Sequence, residues 1–168
     1  MKIIMPLDRK LLVAFLLLFS VLGFSQNSSR TENAQKMKVD SLLLQGAQAM
    51  DQANFVEAVT KLKKAESLSE EFQNKSNIAL SNQLLAKVYF ELGETDFAVN
   101  HILNAIKLHQ ELQELNYLGK AYLVYTQILI KSGNSEKALP FLDNAEIIFS
   151  NTRDDDSRIL LATTYLYE

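Results

Sequence analysis

Alanine recurs at positions 58, 98 and 138, and again at 65, 105 and 145, so two separate ladders share one 40-residue period. The same register aligns Leu62 with Ile102 and Leu142, Leu68 with Leu108 and Ile148, and Gly93 with Gly133. Ala53 stands at the earlier position of the glycine series. A period of this length marks stacked supersecondary units, each unable to bury its apolar face without its neighbours. Arrays of this kind build extended surfaces for holding other molecules and usually have no reaction centre.

Composition agrees with helical units. Pro is limited to 2 residues and Gly to 5, Trp is absent, and 48% of the chain is hydrophobic, enough for a core. Apolar residues in 79–92 repeat at spacings of three and four, the helical signature. The spacing predicts helices over 36–52, 54–73, 76–92, 94–114, 116–132 and 135–150, with a seventh beginning near 157. Gly93 and Gly133 fall where a helix must end in a left-handed residue, and Ala53 must do the same without glycine's freedom. Pro140 is expected to remove one backbone bond near the start of its helix without ending it. The alanines of the two ladders lie seven apart, on one side of the second helix of each pair, where small side chains permit close approach. The fold class expected is all-α, an α-solenoid of antiparallel helix pairs.

Residues 1–25 belong to another category. Lys2, Arg9 and Lys10 precede an almost wholly apolar run from Leu11 to Phe24, and small residues stand three before and one before the Ser25–Gln26 bond. This is the pattern of a cleaved secretory signal, and the run is shorter than the roughly 20 residues a membrane helix needs. No stable membrane span is expected after cleavage, and the chain is expected in the periplasm or outside the cell. Residues 26–35 are polar and read as a disordered lead-in. The net charge of −3, without a clustered basic face, argues against nucleic acid as a partner.

Leu85-Ala86-Lys87-Val88-Tyr89, together with the pairs Ala58/Leu62, Ala98/Ile102 and Ala138/Leu142, resembles the tetratricopeptide repeat. The resemblance covers 36–168, divided into repeats at 36–75, 76–115 and 116–155 and a partial one at 156–168. The usual period is about 34 residues; here the extra residues are expected around 69–76, 109–116 and 149–156. The position that usually holds Trp carries Leu42, Asn82 and Tyr122. Such lengthened repeats resemble those of exported and sensor proteins of bacteria.

The resemblance implies that the first helix of each pair lines a concave surface. Its candidate partner-binding residues are Met50 in the first repeat, Gln83, Lys87, Phe90 and Glu91 in the second, and Lys120, Gln127, Ile130 and Lys131 in the third. Leu43, Ala47 and Leu123 share those faces, Leu43 and Leu123 nearer the seam between helices. The mixture suits an extended peptide or a partner helix. Only Lys120 matches the basic–Asn clamp by which some such repeats grip a C-terminal carboxylate, so that specificity is not expected.

No catalytic, cofactor or metal site is expected. His101 and His109 lie eight apart on one helix, about 12 Å along its axis at 1.5 Å per residue, too far to share a metal, and read as surface or groove-edge residues. Asp154-Asp155-Asp156 lacks the Gly and later Glu of a calcium loop. Neither a phosphate-binding Gly-rich loop nor a nucleophile turn occurs. The leading expectation is an exported, non-catalytic protein- or peptide-binding scaffold. Beside it stand the sensory front portion of a longer signalling protein and a helical enzyme of unrecognised type. The apolar end, residues 157–168, would serve as a short capping helix or a self-association surface, or the chain would be the front part of something longer.

Overall fold

The computed structural model describes residues 31, 33–151 and 162, and all described elements are helices or turns. Two compact units divide the chain between Lys38 and Val39. Helix α1 occupies 33–51 and crosses that division. The packing described below is that of the second unit, in which α2 (Phe55–Glu71), α3 (Lys75–Glu91), α4 (Thr95–Leu112), α5 (Leu115–Lys131) and α6 (Ser135–Ser150) follow. The six helices pack in adjacent pairs, an all-α solenoid-like arrangement. Helix α1 starts about three residues earlier than expected, taking 33–35 out of the lead-in. The remainder of that lead-in, apart from Thr31, the signal segment and the expected seventh helix apart from Ala162 lie outside the described residues.

One turn geometry joins all six helices. Positive φ occurs at Ala53 (55°), Gln73 (54°), Gly93 (78°), Gln113 (57°) and Gly133 (74°), at intervals of 20 residues. At Gly93 the left-handed residue donates its N–H to Phe90 O at 3.0 Å, and the next residue, Glu94, donates to Tyr89 O at 2.9 Å. The same pair of bonds recurs at the other four turns, satisfying helix-end carbonyls that would otherwise lack donors. The residue after the left-handed one then begins the next helix, and Asn54 and Asn74 cap theirs by accepting from the N–H three residues on. Glu94, Glu114 and Asn134 make no such side-chain bond.

The junctions at 73 and 113 are as tight as the glycine turns, so the windows 69–76 and 109–116 hold helix ends and starts rather than longer loops, and the helices run to 17, 17, 18, 17 and 16 residues from α2 to α6. Most of the third window, 149–156, lies outside the described residues. Helix α6 continues through Pro140 as expected.

The period governs burial as well. Ala58, Ala65, Ala98, Ala105, Ala138 and Ala145 are all buried, as are Leu62, Ile102 and Leu142 between them. Full burial of each of the last three removes enough apolar surface to contribute about 1.5–3 kcal/mol. Two apolar clusters result. Val39, Leu42, Leu43 and Ala49 of α1 join Leu62 of α2 and Leu85 and Val88 of α3. Ala86 of α3 joins Ile102, Ile106, Tyr122, Ile128, Leu142 and Phe149 of α4, α5 and α6. Helix α3 thus feeds side chains into both, and Tyr89 packs against each.

Candidate partner-binding face

Five of the residues selected on the first-helix face come together. Phe90 and Glu91 end α3, Gln127, Ile130 and Lys131 end α5, and the five line a depression of about 480 Å³. Helices α3 and α5 come within contact distance of each other. On α5 Gln127, Ile130 and Lys131 stand at i, i+3 and i+4 on one side, and Phe90 and Glu91 hold on α3 the places of Ile130 and Lys131 in the repeat register. The Lys131 ammonium stands 4.6 Å above the centre of the Phe90 ring, a cation–π arrangement. Ile130 and the Phe90 ring supply the apolar floor, while Gln127, Glu91 and Lys131 supply one amide and two charges of opposite sign. This is the makeup of a site that buries one apolar side chain and fixes its flanks with polar contacts.

The other four candidates lie elsewhere. Met50 is half-buried and packs against the α1–α3 cluster. Lys87 and Lys120 are half-buried on the same helices, outside the lining of the depression. Gln83 requires correction, for it is only 6% exposed and its Oε1 has no hydrogen-bond partner among the described residues. The resemblance placed it on the face, but at its level α3 is enclosed by neighbours. Leu43 and Leu123 are likewise buried in the seam.

The histidines also depart from expectation. His109 is 0% exposed, a core residue rather than a surface one. Its Nδ1 donates to Glu114 Oε2 at 2.8 Å, Glu114 Oε1 accepts from Ser76 Oγ at 2.6 Å, and its ring stacks on Tyr117. The three polar residues tie α3 and α4 to the start of α5. Burial holds His109 below the ordinary imidazole pKa, with the Glu114 hydrogen bond and charge opposing.

His101 belongs to a polar cluster that sequence reasoning missed. Its Nδ1 donates to Asn82 Oδ1 at 2.8 Å, and its Nε2 accepts from the Lys63 ammonium at 3.3 Å. Asn82 Nδ2 donates to Glu66 Oε1 at 2.9 Å, Lys63 bonds Glu66 Oε2 at 2.9 Å, and the imidazole stacks on Tyr89. Burial first, and the Lys63 charge second, depress the His101 pKa, with Glu66 opposing. Forty residues on, the same four positions hold Leu103, Ile106, Tyr122 and Phe141, an apolar group with the Tyr122 and Phe141 rings 5.8 Å apart. That polar-for-apolar exchange in register was the available signal. Beside the polar cluster lies a second depression of about 420 Å³, lined by charged and amide groups including Glu66, Glu70, Asn82, Lys107 and Glu111.

Among the described residues no group of His, Cys, Asp and Glu could hold a metal ion, and no helix is long and apolar enough to cross a membrane. Compared with known proteins, the chain matches no family model, no curated protein and no solved structure.

Proposed function

We propose that this chain is an exported, non-catalytic scaffold of the tetratricopeptide type, which holds a protein segment against its first helices. The observation that carries the reading is the meeting of Phe90, Glu91, Gln127, Ile130 and Lys131 around one depression. Four features support it together: the 40-residue alanine ladders, the paired helices, an apolar floor, and polar groups at its rim. In this reading residues 1–25 direct export and are removed, and the partner is a peptide or helix taken up in the periplasm or outside the cell.

Photo-crosslinking in cells that produce the protein tests the reading. A photoreactive side chain at Lys131 should capture a discrete partner, whereas one at Val56, which is 79% exposed on α2, should not. Phe90→Asp should abolish the Lys131 adduct and leave helix content, read by circular dichroism, unchanged. Equal adducts from both positions, or an adduct indifferent to Phe90→Asp, would remove the first-helix face as the binding surface.

A further inference from the structure

The space between successive second helices is closed in one repeat and open in the one before. Tyr122 of α5 is 7% exposed, its ring lies 5.8 Å from that of Phe141 on α6, and its hydroxyl accepts from Gln110 Nε2 of α4 at 2.8 Å. Forty residues earlier the places of Tyr122 and Gln110 are held by Asn82 and Glu70. The short amide of Asn82 is taken up by Glu66, Ile78 O and His101, so nothing there does the work of the phenol ring. A depression of about 420 Å³ opens at this place, with α3 packed on both α2 and α4 and the backbones of those two held apart. That volume is within the roughly 300–1,000 Å³ of small-molecule sites. Folding does not require the opening, because the same helix arrangement fills the equivalent place with Ile106, Tyr122 and Phe141.

The charges of the lining pair off, except for two. Lys63 stands 2.9 Å from Glu66, and Lys75 stands 3.4 Å from Glu111. Glu70 on α2 and Lys107 on α4 line the depression as well, and among the described residues neither side chain has an ion-pair or hydrogen-bond partner. The amide of Asn104 on α4 is likewise unpartnered there. One carboxylate and one ammonium thus border the space from different helices, and Ile78 and Leu108 add an apolar patch.

We propose that this depression is a binding site for a small zwitterion, a free α-amino acid. A simple cation would gain from Glu70 and be repelled by Lys107, and a simple anion would meet the reverse. A neutral polyol would leave both charges unmatched. An amino acid supplies one group of each sign: its ammonium answers Glu70, its carboxylate answers Lys107 and the Asn104 amide, and its side chain rests on Ile78 and Leu108. The buried ring of bonds through Lys63, Glu66, Asn82 and His101 holds the floor in place before the ligand arrives. This site is separate from the first-helix face and does not depend on it.

Nuclear magnetic resonance of the isotope-labelled protein tests this, with the standard amino acids added one at a time at millimolar concentration. At least one should shift the side-chain amide signals of Asn82 and Asn104 in a saturable way and leave that of Gln127 in place. The amine and the acid made from that amino acid by removing its carboxylate or its ammonium should each bind at least about tenfold more weakly. Glu70→Gln and Lys107→Met should weaken the amino acid to a similar degree. The exchange of Lys63, Glu66, Asn82 and His101 for Leu, Ile, Tyr and Phe should abolish binding while helix content, read by circular dichroism, stays unchanged. Silence of both amides towards every amino acid overturns the site. Equal affinity of the single-charge analogues or of glucose, or indifference to both Glu70→Gln and Lys107→Met, overturns the zwitterion as its ligand.

Discussion

At the scale of single residues, packing between paired helices follows a rule of compensating size. A Cβ added to Gly119 would lie 2.6 Å from Cζ and 2.8 Å from Cε1 of Phe149. The residues at the same positions of the earlier repeats are Ala79 with His109 and Val39 with Ser69, and all of these are buried. As Ser gives way to His and then Phe, Val gives way to Ala and then Gly. Close-packed interiors impose this, since a methyl group added on one side needs space on the other. Alanine has about 1 kcal/mol more helix propensity than glycine, but overpacking costs about 1–3 kcal/mol. Gly119→Ala should therefore lower the unfolding free energy on balance, and Phe149→Leu in the same chain should recover part of the loss. Urea unfolding of the three variants measures this, and an unperturbed Gly119→Ala midpoint would show that the ring yields freely.

At the scale of elements, the five turns set where each helix ends, and their residues differ in how well they suit the task. No atom lies within 4 Å of a Cβ added at Gly93, whose φ is 78°, so Gly93→Ala tests the left-handed conformation alone. It should cost about 1–2 kcal/mol. Gln113, at φ 57°, already carries that strain. Gln113→Gly relieves it but loosens the unfolded chain, leaving a net gain of about 0.5–1 kcal/mol. Thermal midpoints should thus move in opposite directions for the two substitutions, and a shared direction would contradict the common turn geometry. Three of these turns were legible beforehand, because glycine marks positions 93 and 133 and the repeat register extends them to Ala53. Helix breaks near 73 and 113 were legible too, but their left-handed residues were not, because glutamine has no turn signature, and the backbone shows that the turns recur every 20 residues.

At the scale of the whole molecule, acid sensitivity is unevenly distributed. Both histidines are held neutral within the packing of α2, α3, α4 and the start of α5, whereas the corresponding places in the third repeat hold Phe141 and Phe149. A histidine whose folded pKa is depressed binds protons more readily when unfolded, so its contribution is complete above the unfolded value of about 6.5. That contribution is lost progressively as pH falls from there to the depressed folded value. Stability should therefore decline on acidification below about pH 6.5 and level off once the folded histidines titrate. Amide exchange at pH 7.5 and 5 should show the loss in α2 to α4 before α6. The exchange of Lys63, Glu66, Asn82 and His101 for Leu, Ile, Tyr and Phe, the set found 40 residues on, should flatten the part due to His101. A pH profile unchanged by that exchange would place the acid sensitivity elsewhere.

The chain's order alone determined the all-α, paired-helix arrangement, the number of helices in the described region and their limits to within about three residues. Those properties follow from local rules of periodicity, chain reversal and helix propensity. Five of the nine residues that the resemblance implied line the depression, because equivalent helices of a repeat present equivalent faces. Tertiary structure alone decided which members of that face are open. Gln83 is enclosed while Gln127, one helix turn further along the equivalent helix, is half-buried and lines the depression. It alone decided, too, that His109 is core and that Lys63 meets His101 across 38 positions of sequence. Enclosure and long-range pairing depend on where a second and third helix come to lie, and no spacing within one helix carries that information.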